Sequence, residues 1–204
     1  MRLRVLSVAL LILVLAAVGG LVLVKRKQCQ MAAEYVPGEL PVLHTVPEFE
    51  LKNSEGSPVT RESLLGKVWV ADLIFTTCAD TCPAMTRRMA AIHDDYRDRP
   101  GLNFVSVSVN PNYDRPNVLS DYAEYYNADV NRWHFLTGTL EAVTDMSMNG
   151  LMIGNKDNPV DHSTYFVLVD DACRVRGYYD GKDEDAVKKL RADVDRLLSG
   201  EGEG

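Results

Sequence analysis

The sequence predicts an α/β sandwich, a central mixed sheet flanked by helices, and three observations carry that prediction. Apolar runs with the alternating or continuous pattern of strands are interleaved with segments of helical period. An early strand–helix–strand series has the length of a parallel crossover, and the chain closes with a tight hairpin followed by a helix. The composition is that of an ordinary globular chain: 204 residues, 46% hydrophobic and 25% charged, with 9 Pro, 14 Gly and 4 Cys. It excludes a collagen-like, disordered or disulfide-framework protein.

The elements follow in order. Phe49–Leu51 and Val59, separated by Asn53-Ser-Glu-Gly56, suggest an edge hairpin. Val68–Phe75 (VWVADLIF) is nearly continuous in apolar residues, as a strand covered on both faces should be. From Pro83 to Arg97, Met85, Met89, Ile92 and Tyr96 fall on one helical face. Phe104–Val109 (FVSVSV) alternates strictly and reads as a strand. Leu119, Tyr122, Ala123 and Tyr126 mark a helix whose start is signalled by Asp114 and Pro116. Trp133–Leu136 is a short strand and Leu140–Gly150 a weaker helix. Tyr165–Val169, the turn Asp170-Asp171-Ala172 and Val175–Tyr179 form the hairpin. Val187, Leu190, Val194 and Leu197 then give an amphipathic helix. A parallel βαβ start with a hairpin-helix end is the thioredoxin-like layout.

The N-terminus carries a different signal. Val5 to Val24 is twenty residues without a charge, about 30 Å as a helix, which matches the hydrocarbon thickness of a bilayer. Lys25-Arg26-Lys27 follows it where a cleaved signal peptide would show small residues. Cys29 is preceded by Lys-Gln, unlike a lipoprotein anchor. An uncleaved single-span anchor is therefore expected, and basic residues on both sides of it leave its orientation open to the charge rule. Residues 28–47, with Pro37, Gly38, Pro41 and Pro47, read as a stiff tether. The expected organisation is an anchor at 1–27, the tether at 28–47, the thioredoxin-like domain at 48–198 and a frayed tail at 199–204. The net charge of −7 hides an asymmetry. Five of the 22 basic residues lie in 1–27, leaving 17 against 29 acids, or −12, for the remainder. Such a body is a poor nucleic-acid binder.

Chemistry is concentrated in FTTCADTCPAM. Cys78 and Cys82 stand just after the buried strand and at the start of a helix, with Pro83 expected as its first residue. Two thiols at that spacing can close a disulfide or converge on one ion, and the helix dipole favours thiolate. His162, in PVDHSTYFVLVD, precedes the strand expected beside the cysteine-bearing one. Active sites of open α/β sheets gather at that edge. Two thiolates and an imidazole make a soft set suited to Cu(I) and able to hold Cu(II), whereas structural zinc would want a fourth ligand. Asp161 is placed to orient the imidazole. His44, His93 and His134 read as structural, with His93 on the polar side of its helix. Asp72 stands out as a carboxylate inside a strand buried on both faces, costly unless paired or neutral.

FTTCADTCPAM, with DHSTYFVLVD some eighty positions later, resembles the Sco/SenC family of copper chaperones. SVSVNPNYDRP, WHFLTG and RVRGYYDG extend the similarity from about Pro47 to Leu198. The resemblance implies a thioredoxin fold on one N-terminal anchor, facing the bacterial periplasm or the mitochondrial intermembrane space. It implies delivery of copper to, or reduction of the cysteines of, the binuclear copper site of cytochrome c oxidase subunit II. It puts Cys78, Cys82 and His162 at the copper-ligand positions. Asn110 stands where the family usually has Asp, and Cys173 where it commonly has Gly.

Two functions of different class follow. The first is a membrane-anchored metallochaperone holding Cu(I) or Cu(II) and passing it to subunit II or a similar cuproprotein. The alternative is an enzyme, a thiol–disulfide oxidoreductase in which Cys78 and Cys82 cycle and Asp72 accepts the thiol proton, as a buried acid does in thioredoxins. The three-residue spacer between the cysteines, wider than the thioredoxin one, favours a shared ion.

Overall fold

The computed structural model describes residues 40–79, 81–154 and 163–200. Strand β4 (Val68–Ile74) is buried along its whole length. It is covered on both faces because even residues Val68, Val70 and Ile74 join one core cluster and odd residues Trp69, Ala71 and Leu73 the other. β5 (Leu102–Ser108) runs parallel to it and β6 (Trp133–Leu136) parallel to β5. On the other side β7 (Tyr165–Val169) is antiparallel to β4, and β8 (Arg174–Asp180) antiparallel to β7. A two-residue strand, β1 (His44–Thr45), completes the six-stranded order β1-β8-β7-β4-β5-β6. This is the mixed, thioredoxin-like sheet that the sequence predicts.

Helix α2 (Thr81–Asp95) covers the even face with Met85, Met89 and Ile92, beside α5 (Glu184–Leu198) and the Leu119/Ala123 edge of α3 (Pro116–Tyr125). The odd face is closed by Leu51 of β2 (Glu50–Lys52), Val59 of β3 (Pro58–Thr60), Leu64 of the short α1 (Arg61–Leu64) and Val143 of α4 (Leu140–Asp145). A π-helical turn, Met146–Gly150, continues α4, and His44 Nε2 lies 2.9 Å from the Gly150 carbonyl.

Several details differ from expectation. Residues 40–46, read from sequence as the end of the tether, lie against the sheet. Leu43 N–H donates to the Val175 carbonyl and Val46 N–H to the Cys173 carbonyl. The buried Arg176 guanidinium donates to the carbonyls of Leu40 and Pro41 while pairing with Asp170 at 2.7 Å. The proline spacing reads as a stiff tether, and the guanidinium that captures its last residues sits more than a hundred residues downstream. His93, expected on the polar side of its helix, is buried against Phe104 and Trp133 at ring separations of 5.4 and 5.6 Å. Its charge is disfavoured there, since burial lowers its pKa. Cys173 has φ +56°, the left-handed region where a side chain is strained. That geometry accounts for a glycine preference at this turn. Its thiol is fully buried, which removes it from intermolecular disulfide chemistry.

Among the described residues no helix is long and apolar enough to cross a membrane. The expected span Val5–Val24 and Cys29 lie outside them.

Candidate metal centre

The carboxyl end of β4 delivers the chain into Phe75-Thr-Thr-Cys78, and α2 begins at Thr81 rather than at Pro83. Pro83 is tolerated because the first helical turn has no use for its missing N–H. Cys82 is thereby inside the first turn, buried, while Cys78 is half-buried on the loop before it. Cys82 N–H points at Cys78 Sγ, 3.4 Å away, so the positive end of the helix is aimed at that sulfur. The expectation that the dipole favours thiolate fails at Cys82. Burial first, and then the neighbouring Cys78, push its thiol up to about 12. Burial outweighs the Phe75 backbone hydrogen bond, which acts in the opposite direction. Cys82 is a protonated donor that must lose its proton to hold a metal, and the pair offers two soft sulfurs.

The loop that bears Cys78 is fixed from β5. Asp114, fully buried, accepts Thr76 N–H at 3.0 Å and Ser108 Oγ–H at 2.6 Å on Oδ2, and Thr76 Oγ1–H on Oδ1. Asn110 closes the same loop, donating its N–H to Ser108 Oγ and accepting Tyr113 and Asp114 N–H. Asp114 therefore does not start α3, which begins with Arg115 as its N-cap and Pro116 at its first position. Its role escaped the sequence reading, although the serines of FVSVSV carried a signal. Their alternation does not mark a solvent face, because β5 is buried on both sides. Ser106 and Ser108 point inward to serve two carboxylates.

The other carboxylate is Asp72. It faces Ser106 in register and accepts its hydroxyl proton at 2.6 Å on Oδ1, while Trp133 Nε1–H donates to Ser106 Oγ at 3.0 Å. Oδ2 is buried with no hydrogen-bond partner among the described residues. Burial raises the pKa to about 7, and the Ser106 bond opposes the rise. Its charge is also felt at Cys82. In the unfolded chain Asp72 ionises near 3.8, so between roughly pH 4 and 7 only the folded state keeps the proton. The stability this contributes is present in acid and is lost as pH rises to 7. Asp72→Asn should remove the loss. Urea unfolding of both proteins should show the variant gaining on the order of 2 kcal/mol over the parent from pH 5 to 8. A difference independent of pH would contradict this assignment.

Ser163 and Thr164 enter β7 at the carboxyl end of β4, because β7 is antiparallel with Val167 opposite Ala71. Thr164 is held by Gly181 N–H to its carbonyl at 2.8 Å and by its own hydroxyl to Asp180 at 3.2 Å. His162 and Asp161, expected as ligand and orienting residue, lie outside the described residues. Among the described residues no group of three His, Cys, Asp or Glu side chains is arranged to hold a metal.

The SCO1/SenC family model matches residues 38–199. The chain belongs to this family. The SCO1 protein homolog of Bacillus subtilis (strain 168) is 30% identical over 160 residues, spanning 76% of this chain and 83% of the relative. BsSco, described as a member of the Sco family of cytochrome c oxidase assembly proteins with a disulfide switch, superposes at TM-score 0.69 and 28% identity. The match covers 79% of this chain and 97% of BsSco. Yeast Sco1 with copper bound superposes at TM-score 0.61 and 25% identity, covering 79% and 98% of the two chains. The residues matched by the family model include the sheet, the cysteine loop and the terminal hairpin.

Proposed function

We propose that this chain binds one copper ion through Cys78, Cys82 and His162, with Asp161 orienting the imidazole, and delivers it to the binuclear copper site of cytochrome c oxidase subunit II. The observation that carries the reading is the thiol pair at the start of α2, with Cys82 N–H on Cys78 Sγ at 3.4 Å. Copper bound to yeast Sco1 supports the metal, and the assembly role stated for BsSco supports the recipient. Two sulfurs and one nitrogen suit Cu(I) and still accept Cu(II). Residues 1–27 act as the membrane anchor in this reading, with the domain on the periplasmic or intermembrane-space side.

Anaerobic titration of the reduced full chain in detergent, against a chromophoric Cu(I) chelator, tests it. The expected result is one copper per chain, held at least about tenfold more weakly by His162→Ala. Failure of the parent chain to compete for any copper would sink the reading.

Asp72 favours a second activity at the same cysteines. A buried carboxylate with one oxygen unpartnered among the described residues can take the Cys82 proton as the pair is oxidised. In that step two thiols lose two protons and two electrons to form a disulfide, and the partner's disulfide is reduced to two thiols. This oxidoreductase reading expects disulfide exchange to survive His162→Ala and to slow in Asp72→Asn.

A further inference from the structure

The Cys78 loop and the loop after β5 are held together by one carboxylate. Thr76 gives Asp114 both its backbone N–H and its hydroxyl, and Ser108 gives its hydroxyl, so a fully buried side chain receives three hydrogen bonds, two from the Cys78 loop and one from the end of β5. Thr76 stands two residues before Cys78, and on that approach Cys78 N–H also donates to the Phe75 carbonyl at 3.2 Å. A loop leaving a strand has several conformations open to it, each giving the next side chain a different direction. Pinning both polar groups of Thr76 selects one of them. The carboxylate is held in turn by backbone, since Asp114 N–H donates to the Asn110 carbonyl at 2.9 Å and Asn110 N–H donates to Ser108 Oγ at 3.1 Å. This arrangement is more than a local turn needs. A helix start could be made by Arg115 and Pro116 alone, and here it is.

We propose that Asp114 is the positioning residue of the metal centre: through Thr76 it sets the direction in which the Cys78 thiol is presented. The inference rests on the copper reading for its functional meaning, while its geometric content concerns the thiol alone. The carboxylate accepts all three bonds with charge, which strengthens each of them. In Asp114→Asn that charge is lost, and the NH₂ group must either reverse the bond to Thr76 Oγ1 or be set against the Thr76 N–H. Thr76→Val removes only the hydroxyl bond, and Ser108→Ala only the strand-side bond.

Two readouts separate positioning from mere stability. The first needs no copper. The rate at which iodoacetamide alkylates Cys78 in the reduced full chain at fixed pH, assigned by peptide mass spectrometry, reports how that thiol is presented. Asp114→Asn should change this rate at least fivefold, and Thr76→Val about threefold in the same direction. Tyr179→Phe, which loses a hydrogen bond to Asp193 on the α5 side of the core, should leave it within twofold at comparable loss of stability. The second readout is Cu(I) affinity, expected to fall at least tenfold in Asp114→Asn and about threefold in Thr76→Val and Ser108→Ala. Alkylation rates that stay at the parent value in Thr76→Val and in folded Asp114→Asn overturn the proposal. If Asp114→Asn does not fold, parent rates in both Thr76→Val and Ser108→Ala overturn it. A parent chain that binds no copper but shows the alkylation changes leaves the positioning role standing and defeats the copper reading.

Discussion

Replacing Cys82 by serine is expected to weaken Cu(I) binding on the order of 10³-fold, about 4 kcal/mol, with little loss of fold. Cu(I) is a soft ion that bonds strongly to thiolate and weakly to a hydroxyl, and serine does not ionise at accessible pH. Cys82 is buried at the first turn of α2 and has a backbone hydrogen bond with Phe75. Serine is slightly smaller and can keep that bond, so the unfolding midpoint should move little. Cys78→Ser should produce a loss of the same order. Cys173→Ser provides the internal control, because that thiol lies in the core on the opposite face of the sheet and near the Arg61 carbonyl. Chelator competition on the three variants reads this directly, and equal losses in all of them would mean that the metal is not held by the Cys78/Cys82 pair.

Arg176→Met is expected to cost about 3–5 kcal/mol of folding stability and to release the segment before β1. Arg176 and Asp170 are each nearly completely buried, and Asp170 also accepts Arg174 Nε at 2.8 Å and the N–H groups of Ala172 and Arg174. Removing the guanidinium leaves a buried carboxylate whose remaining charge partner among the described residues is the half-exposed Arg174, and the carbonyls of Leu40 and Pro41 lose the Arg176 donors. Urea unfolding measures the stability, and limited proteolysis should cut the variant near residues 40–43 where the parent resists. A loss below about 1 kcal/mol, with no new cleavage, would show that the segment is held by β1 pairing alone.

The fold was legible because its strongest signals are local. VWVADLIF could only be a strand covered on both faces, and Met85, Met89 and Ile92 could only be one side of a helix. What escaped was long-range. Nothing near Pro41 announces that Arg176 will reach it, and nothing near His93 announces that Phe104 and Trp133 will enclose it. Asp114 was read as a helix signal because a carboxylate before a proline usually is one. Its true partners are Thr76, on the loop after β4, and Ser108, at the end of β5, and the β4–β5 register brings them together. The cysteine pair was legible as chemistry because of its place at a strand–helix junction. The protonation of Cys82 was not, since the competition between helix dipole and burial is decided by how deeply the side chain sits.

The central claim, a copper ion held by two sulfurs and one imidazole nitrogen, is tested most directly by X-ray absorption at the copper edge on the Cu(I)-loaded full chain and on its His162→Ala variant. Two sulfur scatterers and one nitrogen with the outer-shell pattern of imidazole are expected in the parent, and the imidazole pattern should vanish in the variant while both sulfurs remain. A spectrum with fewer than two sulfurs, or one left unchanged by His162→Ala, would contradict the three-ligand centre.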